Sequence, residues 1–299
     1  VVSGLRRVGK SSLLRVGLKK SGAKFILIDV RELSFIGRKS FEAKLLEELK
    51  SLKGFSSLLE KIEAIEAGVR ISLKNEDSLW PLLKKINPVI AVDEVQMLKG
   101  TGVESFFAAV YDNTSCKIVL TGSEIGVLDA FLGKNEPKAP LFGRVYREIK
   151  LHSLAPAKSK EFLLRGFQET GKNISENELT TALQELDGIV GWLAMYGNLA
   201  VSLDAGTALK KATATGAKLA YSEFESFLNT RGTAKNRYVT LARVLAERDA
   251  KWSELKQGFE IRLRETISDV QFTNYLNSLK DYGFITHSND LYSVPDPLL

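Results

Sequence analysis

Gly4-Leu5-Arg6-Arg7-Val8-Gly9-Lys10-Ser11 is the stretch from which the rest of the chain can be read. It fits the spacing G-x-x-x-x-G-K-[ST], in which glycines let backbone N–H groups curl around a phosphate without Cβ clashes. In that arrangement Lys10 reaches the β- and γ-phosphates as a point charge, and the Ser11 hydroxyl serves Mg²⁺. Val1-Val2-Ser3 before it reads as the end of a strand, and residues 11–20 read as a helix closed by Gly22. The start of that helix aims a positive dipole at the same phosphates. The sequence opens one strand end ahead of the loop, so an N-terminal segment is expected to lie upstream of it.

Working outward, residues 24–30, 88–93 and 117–122 are short, rich in β-branched residues and almost continuously apolar, and 145–151 is a weaker fourth run. Strands buried on both faces of a parallel sheet have this character. Residues 40–52 lie between the first two runs, with Phe41, Leu45, Leu46 and Leu49 at helical spacing. Strands alternating with helices predict an α/β sheet of crossover units. Residues 56–67 are expected to form a helix, 69–73 an extended piece and 76–85 a second helix.

Ligands of such sheets sit at the carboxyl ends of the strands. There the second run delivers Asp93 and Glu94, placing Asp93 for the Mg²⁺ shell and Glu94 for deprotonating an attacking water. Thr121-Gly122-Ser123-Glu124 ends the third run, where Thr121 or Ser123 is placed to hydrogen-bond a γ-phosphate or the water. Asp29 and Arg31 border the same edge, and Asp29 is expected to cap or pair locally.

Beyond residue 157 the strand signals stop. Residues 158–166, 176–186, 193–203 and 207–229 read as helices. Residues 238–248, 252–263 and 268–282 are three more, the last capped by Ser268 or Asp269 and ended by Gly283. A hairpin follows, with Ser288-Asn289-Asp290 as a three-residue turn. The expected division is 1–155, 156–230 and 231–299, the last a winged helix.

Charge follows that division. The 299 residues carry +6 overall. Residues 1–150 hold 25 Lys+Arg against 18 Asp+Glu, a net +7, while 151–230 hold 7 against 9 and 231–299 hold 10 against 9. The basic excess therefore lies with the phosphate loop. The single cysteine, Cys116, excludes an intrachain disulfide and fits a reducing cytoplasm, which is the expected location. No apolar run reaches the ~18 residues of a membrane span, and His152 and His287 form no zinc spacing.

Gly4-Leu5-Arg6-Arg7-Val8-Gly9-Lys10-Ser11-Ser12, Val92-Asp93-Glu94-Val95-Gln96, Thr121-Gly122-Ser123-Glu124 and Pro140-Leu141-Phe142-Gly143-Arg144 together resemble the archaeal ATPase family, allied to the STAND and AAA+ groups and to origin-recognition initiators. The resemblance implies a P-loop NTPase core of the AAA+/ASCE kind, with a strand inserted between the loop strand and the Asp93 strand. It also implies a helical lid and a C-terminal winged helix. The expected ligands are ATP and Mg²⁺. The nucleotide is expected on Gly4, Leu5, Arg6, Arg7, Val8, Gly9, Lys10, Ser11 and Ser12, and the metal on Ser11 and Asp93. Glu94, Lys10, Ser123 and Arg144 are expected in catalysis, Arg144 contacting phosphate in cis or across subunits. Leu186-Asp187-Gly188-Ile189-Val190-Gly191-Trp192 resembles the family's adenine-side segment, with Val190 where proline is usual.

The winged helix would offer Gln271, Asn274, Asn277 and Lys280 to DNA, with Asn289 on the wing. Its net +1 is a thin basic footprint, so a protein-contact or autoinhibitory role stands beside DNA. The functional expectation is a slow, ATP-driven switch coupled to this module. The alternatives are a DNA-associated initiator or loader and a nucleotide-gated binding protein without turnover. Partners are expected to be ATP and ADP, DNA or an unknown protein, and a second copy in a nucleotide-dependent homo-oligomer, with no membrane.

Overall fold

The computed structural model describes residues 1–52 and 79–299. The expected helix at 56–67 and extended piece at 69–73 lie outside the described residues, as does the start of the helix expected at 76–85. The chain divides into two compact units, Val1–Gly4 with Lys10–Lys150, and Leu5–Gly9 with Leu151–Leu299.

In the first unit the strands are β1 (Val2–Gly4), β2 (Phe25–Asp29), β3 (Val89–Asp93), β4 (Lys117–Gly122) and β5 (Ile149–Leu151), in the order β2-β3-β4-β1-β5. β4 therefore lies between the loop strand and the Asp93 strand, as the family resemblance implied. The pairs β2–β3, β3–β4 and β1–β4 are parallel.

The near-continuous apolar runs are explained by helices on both faces. Ile26, Ile28, Ile90, Val92 and Leu120 share a core with Phe41, Leu45 and Leu49 of α2 (Arg38–Ser51), Leu82 of α3 (Leu79–Ile86), and Phe106 and Phe107 of α4 (Val103–Asn113). Phe25, Leu27, Val89, Ala91 and Val119 point the other way, onto Leu14 and Leu18 of α1 (Lys10–Ser21). Edge-to-face rings tie the first core together, Phe41 lying 5.5 Å from Phe107 and 5.8 Å from Phe106. Burying each such side chain contributes ~1.5–3 kcal/mol.

α4 and α5 (Ile125–Phe131) were not anticipated from the sequence, although Val103, Phe106, Phe107 and Val110 have helical spacing and are buried. The run at 145–151 contributes only its last three residues to the sheet.

The second unit is helical apart from a hairpin. α6 (Pro156–Thr170), α7 (Glu176–Leu186), α8 (Val190–Ser202) and α9 (Ala205–Asn229) enclose one core around Trp192 and Tyr196. α10 (Lys235–Glu247), α11 (Trp252–Leu263) and α12 (Asp269–Asp281) enclose another around Phe259 and Phe272, joined by Phe224 and Phe227 from the end of α9. Ser268 caps α12, accepting the Gln271 N–H. The hairpin pairs β6 (Thr286–Ser288) with β7 (Leu291–Ser293), Ser288 opposite Leu291. Its turn is two residues, not three. Asn289 and Asp290 both adopt positive φ, 50° and 61°, as a tight right-twisting hairpin requires. Among the described residues, no helix is long and apolar enough to cross a membrane.

Candidate functional site

The loop between β1 and α1 bends through left-handed backbone at Arg7 (φ 64°) and Gly9 (φ 94°). Gly9 has no Cβ to strain there, whereas Arg7 is an L-residue and needs support. Its support lies within the second unit, to which Leu5–Gly9 belong. The Arg7 guanidinium donates to both Glu223 carboxylate oxygens, at 3.0 and 2.6 Å, and stacks 4.2 Å from the Trp192 ring centroid. Its carbonyl accepts the Gly191 N–H at 2.8 Å, satisfying one of the amides left open at the start of α8. A Cβ at residue 191 would lie 2.8 Å from the Arg7 Cβ, so glycine permits this approach.

Arg6 donates to the Tyr282 carbonyl at 2.6 Å, lies 3.3 Å from Glu223 and sits over the Phe284 ring. Asp296, near the end of the chain, accepts the Trp192 indole N–H at 2.9 Å and stands 3.9 Å from Arg7. Val190 opens α8, and its Cγ1 would be 4.0 Å from a Cβ on Gly9, beside the phosphate loop.

In the first unit, Lys10 is 5% exposed and its Nζ donates to the Gly4 carbonyl at 2.8 Å. Ser11 is half-buried in the first turn of α1, and Ser12 is exposed.

Asp93 ends β3 at 1% exposure, in register with Asp29 of β2. Thr121 donates its hydroxyl to Asp93, and the same oxygen accepts the Glu94 backbone N–H at 3.4 Å. Glu94 adopts left-handed backbone, φ 56°. Its Oε2 accepts Gln96 Nε2 at 2.5 Å and Ser123 Oγ at 2.9 Å. The structure thus gathers Asp93, Glu94, Thr121 and Ser123 into one hydrogen-bonded cluster, and adds Gln96.

Asp29 pairs locally, as expected, accepting the Arg31 backbone N–H together with its Nε and Nη2. That hydrogen bonding holds the Asp29 carboxyl below its ordinary value and pushes the Arg31 guanidinium above its own. Arg31 Nη2 is also 3.8 Å from Asp93 Oδ2.

Arg144 does not join this cluster. Its guanidinium binds the Asp112 carboxylate and the Pro140 carbonyl. Asp112 is in the last turn of α4, which leads into the amino end of β4, whereas Ser123 follows its carboxyl end. The strand between spans roughly 20 Å at ~3.3 Å per residue. In this structure a carboxylate close to Arg144 takes its fork.

Ser11 and Asp93 offer a hydroxyl and a carboxylate, hard oxygen donors suited to Mg²⁺. Among the described residues no group of three acidic, histidine or cysteine side chains could hold a metal by itself. Sequence reading assigned no roles to Gln96, Glu223 or Asp296. Gln96 carried a signal, its place two residues after Glu94. Glu223 is 216 residues from its partner Arg7 and carried none.

A family model of ATPase domains found predominantly in Archaea matches residues 1–196. A model of the C-terminal winged helix-turn-helix domain of MCM proteins matches residues 232–294. The Walker-type ATPase Paby2304 of Pyrococcus abyssi is 30% identical over 99% of this chain and 88% of its own, with a TM-score of 0.83. The ORC2 protein of Aeropyrum pernix, solved in ADPNP and ADP complexes, is 12% identical over 100% of this chain and 83% of its own, with a TM-score of 0.58. No curated protein matches the chain by sequence.

Proposed function

The chain belongs to the family of ATPase domains found predominantly in Archaea, and we propose that it acts as an ATP-driven switch whose phosphate loop is coupled to its C-terminal winged helix. One observation carries the coupling. Arg6 and Arg7, inside the loop, are bound to Glu223 of α9 and to the Tyr282 carbonyl just after α12. A change of loop conformation on taking phosphate has to pass through these contacts.

In this reading the backbone amides of Gly4 to Ser11 cradle the phosphates, and Lys10 exchanges the Gly4 carbonyl for phosphate oxygens. Ser11 and Asp93 would hold Mg²⁺, which when bound neutralises charge on the phosphates. Glu94 takes a proton from water as the water oxygen bonds to the γ-phosphorus. The bond to the β,γ-bridging oxygen breaks, giving ADP and phosphate. Thr121 fixes Asp93, and Ser123 fixes Glu94. Val190 packs beside the bound nucleotide. Arg144 would contact phosphate, in cis or across subunits, after releasing Asp112. The core ends near 155 and the helical lid near 230, where the winged helix begins.

Lys10→Ala is expected to lose nucleotide binding or turnover by ~10²–10³-fold, as removing a preorganised phosphate donor does. Glu94→Gln is expected to keep ATP bound and lose turnover. Unchanged hydrolysis in both variants rules the reading out. Tightly retained ADP after a single turnover supports the switch, and rapid multiple turnover opposes it.

A DNA-associated role has its own observation in favour: Gln271, Asn274, Asn277 and Lys280 are all exposed along α12. ATPase activity with and without duplex DNA, at two salt concentrations, separates the readings. Salt-sensitive stimulation favours the DNA role, and no response favours a protein partner.

A further inference from the structure

Gln96 lies in the single helical turn Val95–Leu98 that follows β3, and it is 4% exposed. Its Nε2 donates to Glu94 Oε2 at 2.5 Å and lies 3.4 Å from Ser123 Oγ. The other end of the amide, Oε1, is buried without a hydrogen-bond partner. Room for it exists because residue 122 is glycine. A Cβ there would come within 2.7 Å of Gln96 Oε1 and 3.2 Å of Leu128 Cδ2. An amide with one end orphaned is a poor way to fill space, since a leucine of similar size would leave no acceptor unsatisfied. What the amide achieves is the orientation of a neighbour. Its bond and that from Ser123 both fall on Oε2 of Glu94, which leaves the lone pairs of Oε1 for a water.

We propose that Gln96 is the positioning residue for Glu94: together with Ser123 it clamps one carboxylate oxygen, so that the other is presented to the attacking water. The proposal rests on the reading of Glu94 as the base. It concerns a side chain whose hydrogen bonds reach Glu94 and Ser123. Partners of this kind in other sites fix the orientation of a reacting group, and their removal lowers activity.

The test compares Gln96→Leu, Glu94→Gln and the double variant in two measurements, ATP affinity and single-turnover hydrolysis. Gln96→Leu is expected to bind ATP as the wild type does and to hydrolyse it ~10–100-fold more slowly. Added to Glu94→Gln, it is expected to change the residual rate by less than about twofold, because both changes act through one group. An unchanged rate in Gln96→Leu overturns the proposal. So does a loss that multiplies with that of Glu94→Gln, since the amide then acts elsewhere. A parallel loss of ATP affinity also overturns it, by assigning Gln96 to the fold. Should Gln96→Leu fail to fold, Gln96→Glu keeps the shape and replaces the donor with an acceptor facing Glu94, and the same split between rate and affinity is expected. If Glu94→Gln alone hydrolyses at the wild-type rate, the reading of Glu94 falls and this proposal with it. If Glu94→Gln is inactive while Gln96→Leu is normal, only the proposal falls.

Discussion

Two polar clusters of this molecule differ in how they are solvated. Around Glu94, the partners Asp93, Gln96, Thr121 and Ser123 are each at most 4% exposed. Around Arg7, the side chains are open to water, 17% for Arg7, 19% for Asp296 and 38% for Glu223. A polar group held away from water costs free energy unless it is bonded, and the cost persists whatever the salt. A half-open ion pair costs little, gains little and is screened by salt. The first cluster therefore has the character of fixed chemistry, and the second that of a contact that can be made and released. The proposed assignment follows that contrast, with turnover at Glu94 and coupling at Arg7.

The contrast breaks most easily at the buried cluster. Glu94→Gln is expected to reduce single-turnover hydrolysis by ~10²–10⁴-fold, the usual range for losing a general base. Next in size is Gln96→Leu, whose loss of rate with retained affinity would show that the buried partners act through Glu94. Arg7→Ala is expected to have a smaller effect. It removes a partly exposed ion pair worth ~0.2–1 kcal/mol and a ring contact worth ~0.5–1 kcal/mol, so ATP affinity should shift only several-fold. That shift should shrink in high salt, as the wild-type pair is screened. A shift independent of salt would mean that the Arg7 cluster behaves like the buried one.

The smallest effect concerns pH. Asp29 titrates lower in the folded protein than its ordinary 3.8, chiefly through its hydrogen bonds from Arg31. Its contribution to stability is present above 3.8 and is lost as pH falls through the lowered folded value. The stability difference between wild type and Arg31→Ala should therefore be constant near neutrality and narrow below pH 3.8. Denaturant melts at a series of pH values measure it, and a gap that widens in acid would contradict the assignment.

What the sequence made legible follows from the same physics. The phosphate loop was readable because its constraints are local: glycines, lysine and serine lie within eight residues. β2, β3 and β4 were readable because helices cover both faces, which leaves no polar position to confuse the pattern. Asp93 and Glu94 followed from standing at a strand's end. The helix Val103–Asn113 carries the same kind of local signal, Val103, Phe106, Phe107 and Val110 standing at helical spacing and buried. No sequence signal shows that Asp112, 32 residues before Arg144, takes its guanidinium. The roles of Glu223 and Asp296 needed the fold itself, as their partner Arg7 is more than 200 residues away.

The measurement that bears most directly on the central claim is hydrolysis of ATP already bound to Glu94→Gln, followed in a single turnover with the bound nucleotide identified at each time. The account predicts that ATP stays bound and intact long after the wild type has converted it to ADP. Conversion at the wild-type rate would contradict it.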